Sequence, residues 1–131
     1  MGYAQFAEIK LVNKSGRTLV LKDLYVHWGK LYQYPEKEKE VGADTVNGKT
    51  IPSGESFSFA TCGRENSSSG TEGDFNLYDG NDSVMKIYWS CPWAGNNKFT
   101  TYYVKEGWFP STTSWSTDGA LGTVTVTIFK A

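Results

Sequence analysis

The sequence predicts an all-β domain, an antiparallel two-sheet β-sandwich, and three observations carry that reading. Gly 14 with many Ser, Thr and Asn, and 15% aromatic residues, is a turn-rich β composition rather than a helical one. Eight or nine short stretches alternate apolar and polar residues between turn signals, with no credible helical period. At 131 residues the chain is long enough for one core and too short for two, so residues 1–131 read as a single domain.

The first strand is expected from Tyr3 to Val12. Tyr3, Ala7, Ile9 and Leu11 share one parity, while Phe6 falls with Glu8 and Lys10 on the solvent side. Asn13-Lys14-Ser15-Gly16 reads as a hairpin turn into a second strand, Arg17 to Tyr25, with Leu19 and Leu21 on one face. A third strand around Val26 to Tyr32 holds Trp28-Gly29-Lys30-Leu31, where the glycine predicts a bulge or close backbone approach. The charge run Pro35 to Glu40 is a solvated loop or a short edge. Turns at Asn47-Gly48 and Ile51-Pro52-Ser53-Gly54 lead to Ser56–Thr61, a core strand with Phe57 and Phe59 inside.

Gly63 to Gly73 is too polar to pack and reads as a surface loop. A short strand, Asp74 to Tyr78, turns at Asp79-Gly80-Asn81-Asp82 into Val84–Ser90, where parity makes Trp89 core and Tyr88 exposed. Pro92 ends that pairing and puts Trp93 in a connecting loop. A mixed strand over Lys98 to Lys105 precedes a loop at Gly107-Trp108-Phe109-Pro110. Gly122 to Lys130 then alternates without fault as the closing strand, with Val124, Val126 and Ile128 inward.

Charge and motifs exclude several functions. A formal net charge of −1 with interspersed signs offers no basic stripe, so nucleic acid is not an expected partner. No run approaches the roughly 18 apolar residues of a membrane span. The start, Met1-Gly2-Tyr3-Ala4-Gln5-Phe6, lacks the basic and apolar regions of a signal peptide. The expectation is a cytoplasmic protein, or one released without a leader, that acts peripherally on target-cell membranes. Phe6 stands where a myristoylation motif needs Ser or Thr, and the three Asn-X-Ser sequences are turns. Cys62 and Cys91 read as free buried thiols, and with His27 they fall short of a four-ligand zinc site. His27 is the only histidine, no acid stands in an apolar setting, and no phosphate or dinucleotide motif occurs. The reading is therefore non-enzymatic binding with no cofactor and no metal.

What remains is an aromatic set: Phe6, Trp28, Tyr88, Trp93, Trp108, Phe109 and Trp115. Trp28 and Trp115 fit the role of plugs at the sandwich ends equally well. If several converge, each gains on the order of 1.5–3 kcal/mol in the headgroup boundary, and an ammonium over an indole face adds roughly 0.5–2 kcal/mol. The same surface would stack sugars, so a carbohydrate-binding module with an aromatic platform is the alternative.

Six segments together resemble one family. They are Tyr3-Ala4-Gln5, Trp28-Gly29-Lys30-Leu31, Cys62-Gly63-Arg64, Gly70-Thr71 with Gly73 and Phe75, Tyr88-Trp89-Ser90-Cys91-Pro92-Trp93, and Gly119-Ala120-Leu121-Gly122-Thr123. Order and spacing are those of the aegerolysins. The resemblance implies a β-sandwich that binds membrane sphingolipid, sphingomyelin or ceramide phosphoethanolamine, with or without sterol. It further implies recruitment of a larger protein with a membrane-attack-complex/perforin domain, which makes the pore; an insecticidal pair is one form of this. It implies lipid contact at Phe6, at Trp28 and Lys30 of the Trp-Gly-Lys segment, and at Ser69, where fungal members carry an acid. The aromatic reading adds Tyr88, Trp93 and Trp108. Phe6 replaces a more usual Trp, and Ser69 and Ser90 replace acids, so ceramide phosphoethanolamine, or another lipid, stands level with sphingomyelin.

Overall fold

Alternation in β1 (Phe6–Lys14) and β11 (Gly122–Lys130) sends Ala7, Ile9 and Leu11, with Val124, Val126 and Ile128, to one fully buried face. That face closes on a second sheet. The computed structural model describes residues 2–131, in which eleven strands form two packed sheets. The six-stranded sheet runs β10 (Trp108–Thr112), β11, β1, β6 (Ser56–Cys62), β3 (Lys30–Gln33), β4 (Glu36–Val41). The five-stranded sheet runs β5 (Thr50–Ile51), β2 (Leu19–Trp28), β7 (Thr71–Asp79), β8 (Asp82–Cys91), β9 (Lys98–Tyr102).

The expected sandwich is present, and all pairings are antiparallel except one. β11 does not close an edge; it lies inside its sheet and pairs parallel with β1, Ile9 opposite Val124 and Leu11 opposite Val126. At the centre Phe59 meets Phe75 and Trp89 edge-on, at 5.4 and 5.8 Å between ring centroids. Phe57 is half-buried and packs on the same core.

Several boundaries differ from the alternation pattern, each for a physical reason. The first strand begins at Phe6 because residues 2–4 form a 3-10 turn, which takes Tyr3 off the core parity to the outer face beside Phe6. Asn13-Lys14-Ser15-Gly16 is a crossover between sheets rather than a hairpin. Asn13 points inward and is fully buried; its Nδ2 donates to the carbonyls of Arg17 and Ile51, both at 2.7 Å, and its Oδ1 accepts from Ser15 N at 3.0 Å. The charge run resolves to an edge strand, β4, whose alternating charges suit an unpaired border. The polar loop after Cys62 ends at Gly70, since Thr71, Glu72 and Gly73 pair with β8. Lys98–Lys105 is strand only to Tyr102. Trp108-Phe109-Pro110 is no loop: it starts edge strand β10, where Pro110 is tolerated.

The predicted third strand is two strands in different sheets. β2 ends at Trp28, Gly29 turns with φ +85°, and β3 begins at Lys30 in the other sheet. A Cβ at Gly29 would fall on the Cys62 carbonyl, so only glycine makes this passage.

Both thiols are free and buried, Cys91 in the core and Cys62 in the outer-face patch with Tyr32 and Ala60. Burial pushes both thiols above their ordinary range, which keeps them protonated and unreactive. Non-reducing mass spectrometry is expected to find both free; a mass deficit of one disulfide would contradict this placement. Asn13→Ala strands the buried Ile51 carbonyl and should lower the unfolding free energy by about 1–3 kcal/mol in urea melts. An unchanged midpoint would show that the crossover does not depend on this side chain.

Candidate functional site

β2 does not keep one parity. Its pairing with β7 slips twice, between Lys22 and Tyr25 and between Val26 and Trp28, and Asp23 sits at φ +61°. After the first bulge Leu24 is buried and Tyr25 exposed; after the second, Trp28 stands out from the sheet end, 64% exposed. Trp93 stands out for a different reason. Pro92 ends β8 pairing, and the loop carries the indole outward at 39% exposure.

Between these indoles lies a cleft of about 430 Å³, walled by Ser68, Ser69, Gly70, Thr71, Glu72, Ser90, Pro92 and Ala94. The loop reaches it by close backbone contact: a Cβ at Gly70 would overlap the Cys91 carbonyl. The Gln5 amide, turned so that its nitrogen faces the carbonyls, donates to Gly119 O at 2.8 Å and Pro92 O at 3.3 Å. Beneath the cleft Trp89 Nε1 donates to Thr71 Oγ1 at 3.1 Å, the Thr71 and Thr61 hydroxyls bond to each other, and Thr61 donates to Lys30 O at 2.9 Å. The floor is thus tied to both sheets.

The only acid in the cleft wall is Glu72. It lies opposite Trp28 on one side and Ser90 on the other, and it accepts a hydrogen bond from Tyr88 Oη. Burial, and then the Glu72 carboxylate, push the Tyr88 phenol up to about 12, so it remains a donor at neutral pH. The neighbouring outer face carries more rings and an ion cluster. Tyr88 meets Tyr102 edge-on at 6.4 Å, Tyr25 lies 4.5 Å from His27, and His27 Nε2 is 3.0 Å from Asp74 Oδ2. His27 and Asp74 are an exposed pair; no hydroxyl or thiol bonds to His27 among the described residues, so no nucleophile is prepared there.

Of the residues expected to bind lipid, Trp28, Ser69 and Trp93 meet in this cleft and Tyr88 adjoins it. Phe6, Lys30 and Trp108 do not. Phe6 lies on the outer face of the six-stranded sheet, half-buried beside Tyr3, Tyr32, Ala60 and Cys62, with Lys37 Nζ 4.1 Å from its ring centroid. Lys30 is buried at 7% exposure, its Nζ donating to Tyr3 Oη at 2.9 Å above the same ring. Trp108 is 4% exposed because β10 pairs with β11 and seats the indole in the core. Trp115 packs on that core, while Phe109 is exposed beside Phe129. Sequence reasoning missed Glu72, which it left in a loop; continuing the alternation of Phe75 and Gly73 back to Thr71 would have put Glu72 outward.

A second, slightly larger cleft of about 460 Å³ lies beside β3 and β6, lined by apolar residues such as Leu31, Val46, Phe57 and Phe59 and by polar ones such as Glu8 and Gln33. It has no exposed tryptophan. The Tyr32 hydroxyl beside it is buried without a hydrogen-bond partner, and burial raises its pKa far above the ordinary phenol range. The wall of this cleft also holds a carboxylate and hydroxyls, Glu8, Thr45 and Ser58, so what distinguishes the other cleft is its pair of exposed indoles.

Among the described residues no helix is long and apolar enough to cross a membrane, and no group of acids, His and Cys is placed to hold a metal. A model of the aegerolysin family matches residues 4–131. Aegerolysin Aa-Pri1 of Cyclocybe aegerita is 39% identical over 133 residues, covering 98% of this chain and 92% of that one. Asp-hemolysin of Aspergillus fumigatus is 36% identical over 129 residues, covering 96% and 93%. The crystal structure of RahU protein in complex with a Tris molecule superposes with a TM-score of 0.91 at 32% identity, covering 98% and 97%. On full-length identity, fold and motif positions together, the chain belongs to the aegerolysin family.

Proposed function

We propose that this aegerolysin is a non-enzymatic, peripheral sphingolipid-binding protein whose Trp28–Trp93 cleft takes the headgroup of sphingomyelin or ceramide phosphoethanolamine, with sterol as an adjunct. One observation carries the reading: two exposed indoles flank a cleft that mixes serines and Glu72 with apolar wall at a single sandwich end. A core does not use indoles in that position, whereas the membrane interface favours them. Hemolysin-type names among its relatives fit a protein that works at membranes, and RahU's Tris is a small hydroxylated amine, chemically akin to a headgroup. Two indoles entering the interface gain on the order of 1.5–3 kcal/mol each, enough for reversible attachment without a membrane-spanning segment.

In this reading the protein acts from outside on a target membrane and marks it for a larger membrane-attack-complex/perforin partner that forms the pore. Insect cells rich in ceramide phosphoethanolamine are one such target. Phe6, Lys30 and Trp108 hold the scaffold rather than the lipid.

The protein should co-sediment with vesicles of either sphingolipid plus sterol and much less with plain phosphatidylcholine; binding to polysaccharide but to none of the vesicles would favour a sugar-binding module. Trp28→Ala and Trp93→Ala should each lower vesicle affinity about ten- to hundredfold with little change in melting temperature. Val126→Ala, at a fully buried site, should do the reverse, lowering stability by about 1–2 kcal/mol while the folded fraction binds normally. Recruitment is read as dye release by a perforin-domain protein that requires this chain; equal release without it would refute the two-part scheme.

A further inference from the structure

Regular alternation from Leu21 would send Asp23, Tyr25 and His27 into the core and Leu24 out to solvent. β2 avoids this with two extra residues. Asp23 and Leu24 together stand opposite Phe75 of β7, and His27 lies between Val26 and Trp28, whose partners Gly73 and Glu72 are adjacent. Each slip reverses the parity of every residue after it. The first turns Leu24 in and Tyr25 out, and alone it would also turn Trp28 in; the second brings Trp28 out again. The pattern with neither bulge buries Asp23 and His27 in the core, at a desolvation cost that closes it. Trp28 therefore reaches the cleft only while both bulges hold.

Both bulges are tied by side chains to the outer face of β7. Asp23 Oδ2 accepts from Asn76 Nδ2 and from Tyr78 Oη, each at 2.8 Å. These two donors hold the Asp23 carboxyl below its ordinary range, so it stays an acceptor at neutral pH. Asp23 takes φ +61°, a conformation that Asp tolerates better than most residues. Leu24 N donates to Asn47 Oδ1 at 2.9 Å, which braces the same bulge from the Asn47-Gly48 turn. At the second bulge His27 Nε2 lies 3.0 Å from Asp74 Oδ2.

We propose that Asp23 and His27 are positioning residues: each pins one bulge of β2 to β7, and the two pins together hold Trp28 outward at the cleft. The placement of Trp28 is independent of any ligand, whereas its effect on vesicle binding rests on the cleft being the lipid site. With both pins made, the indole is in place before a membrane is met. With one released, β2 samples registers in which Trp28 turns away, and apparent affinity falls with the fraction still competent.

The test compares Asp23→Gly, which keeps the backbone conformation and removes the carboxylate, with Asp23→Asn, which keeps the conformation and an acceptor oxygen. The full chain carries fluorotryptophan, and the Trp28 fluorine resonance is identified by its loss in Trp28→Phe. Asp23→Gly and His27→Ala should each split or shift that resonance and speed hydrogen exchange over residues 24–28. The resonances of buried Trp89 and Trp108 should stay in place. Co-sedimentation with vesicles of phosphatidylcholine, sterol, sphingomyelin and ceramide phosphoethanolamine should weaken about three- to tenfold, as for a competent fraction of about a third to a tenth. Asp23→Asn, and Glu106→Gln at an exposed acid away from β2, should match wild type in all these readouts. If Asp23→Gly fails to fold, Asn76→Ala combined with Tyr78→Phe removes the same two hydrogen bonds from β7 and should give the same result. An unshifted Trp28 resonance with wild-type exchange, in Asp23→Gly or in that pair, overturns the assignment, as does a lower melting temperature with no change at Trp28. If the resonance moves as expected but wild type binds no vesicle, the pins stand and the lipid reading of the cleft falls.

Discussion

The constraint on which the rest depends is the close approach of the two sheets at one end of the sandwich. There a polar relay crosses the interior: the Trp89 indole donates to Thr71, the two threonine hydroxyls bond each other, and Thr61 donates to the Lys30 carbonyl. Each hydroxyl accepts on one side and donates on the other, so no buried polar group in the relay is stranded. Backbones can come this near only where side chains are missing. Where the chain passes between sheets, a Cβ at Gly29 would meet Cys62; at the five-stranded sheet one at Gly70 would meet Cys91, and one at Gly73 would lie 2.5 Å from the Trp89 ring. The relay and these glycines hold the same few residues, and the cleft sits directly above them.

This arrangement sorts the aromatic residues by what lies behind each. Phe59, Phe75 and Trp89 form the bridge between sheets, and Trp108 and Trp115 extend it. Trp28 is left outside by the second bulge of β2, and Trp93 by the end of β8 pairing at Pro92. A rigid floor matters for binding: side chains already fixed in place lose little entropy when a ligand arrives.

The segment Trp28-Gly29-Lys30-Leu31 shows how a family motif divides its labour. Trp28 faces the cleft, Gly29 carries the chain from one sheet to the other, Lys30 is buried on the outer face against Tyr3, and Leu31 enters the core. Of the four, only Trp28 is exposed. Lys30 shows why a charged residue in a motif is not evidence of a charged surface: its stem packs against the sheet, and its ammonium is satisfied by a phenol oxygen and an aromatic face. Phe6 lies in a patch with Tyr3 and Tyr32, capped by Lys37.

Alternation by itself determined the fold class, the buried faces of β1, β6, β8 and β11, the core position of Trp89 and the loop position of Trp93, because period two is a local property of an extended chain. The family was suggested separately, by the resemblance of six short segments to the aegerolysins, and was shown by the match over residues 4–131. Tertiary structure decided what no local rule contains. Parallel pairing of β1 with β11, the change of sheet at Asn13 and Gly29, and the two bulges in β2 depend on partners tens of residues away. Those long-range contacts buried Lys30 and Trp108, exposed Trp28, and set Glu72 between Trp28 and Ser90. A side chain's parity follows from its own strand, but its neighbours across the sheet follow from register, and it is register that assembled the cleft.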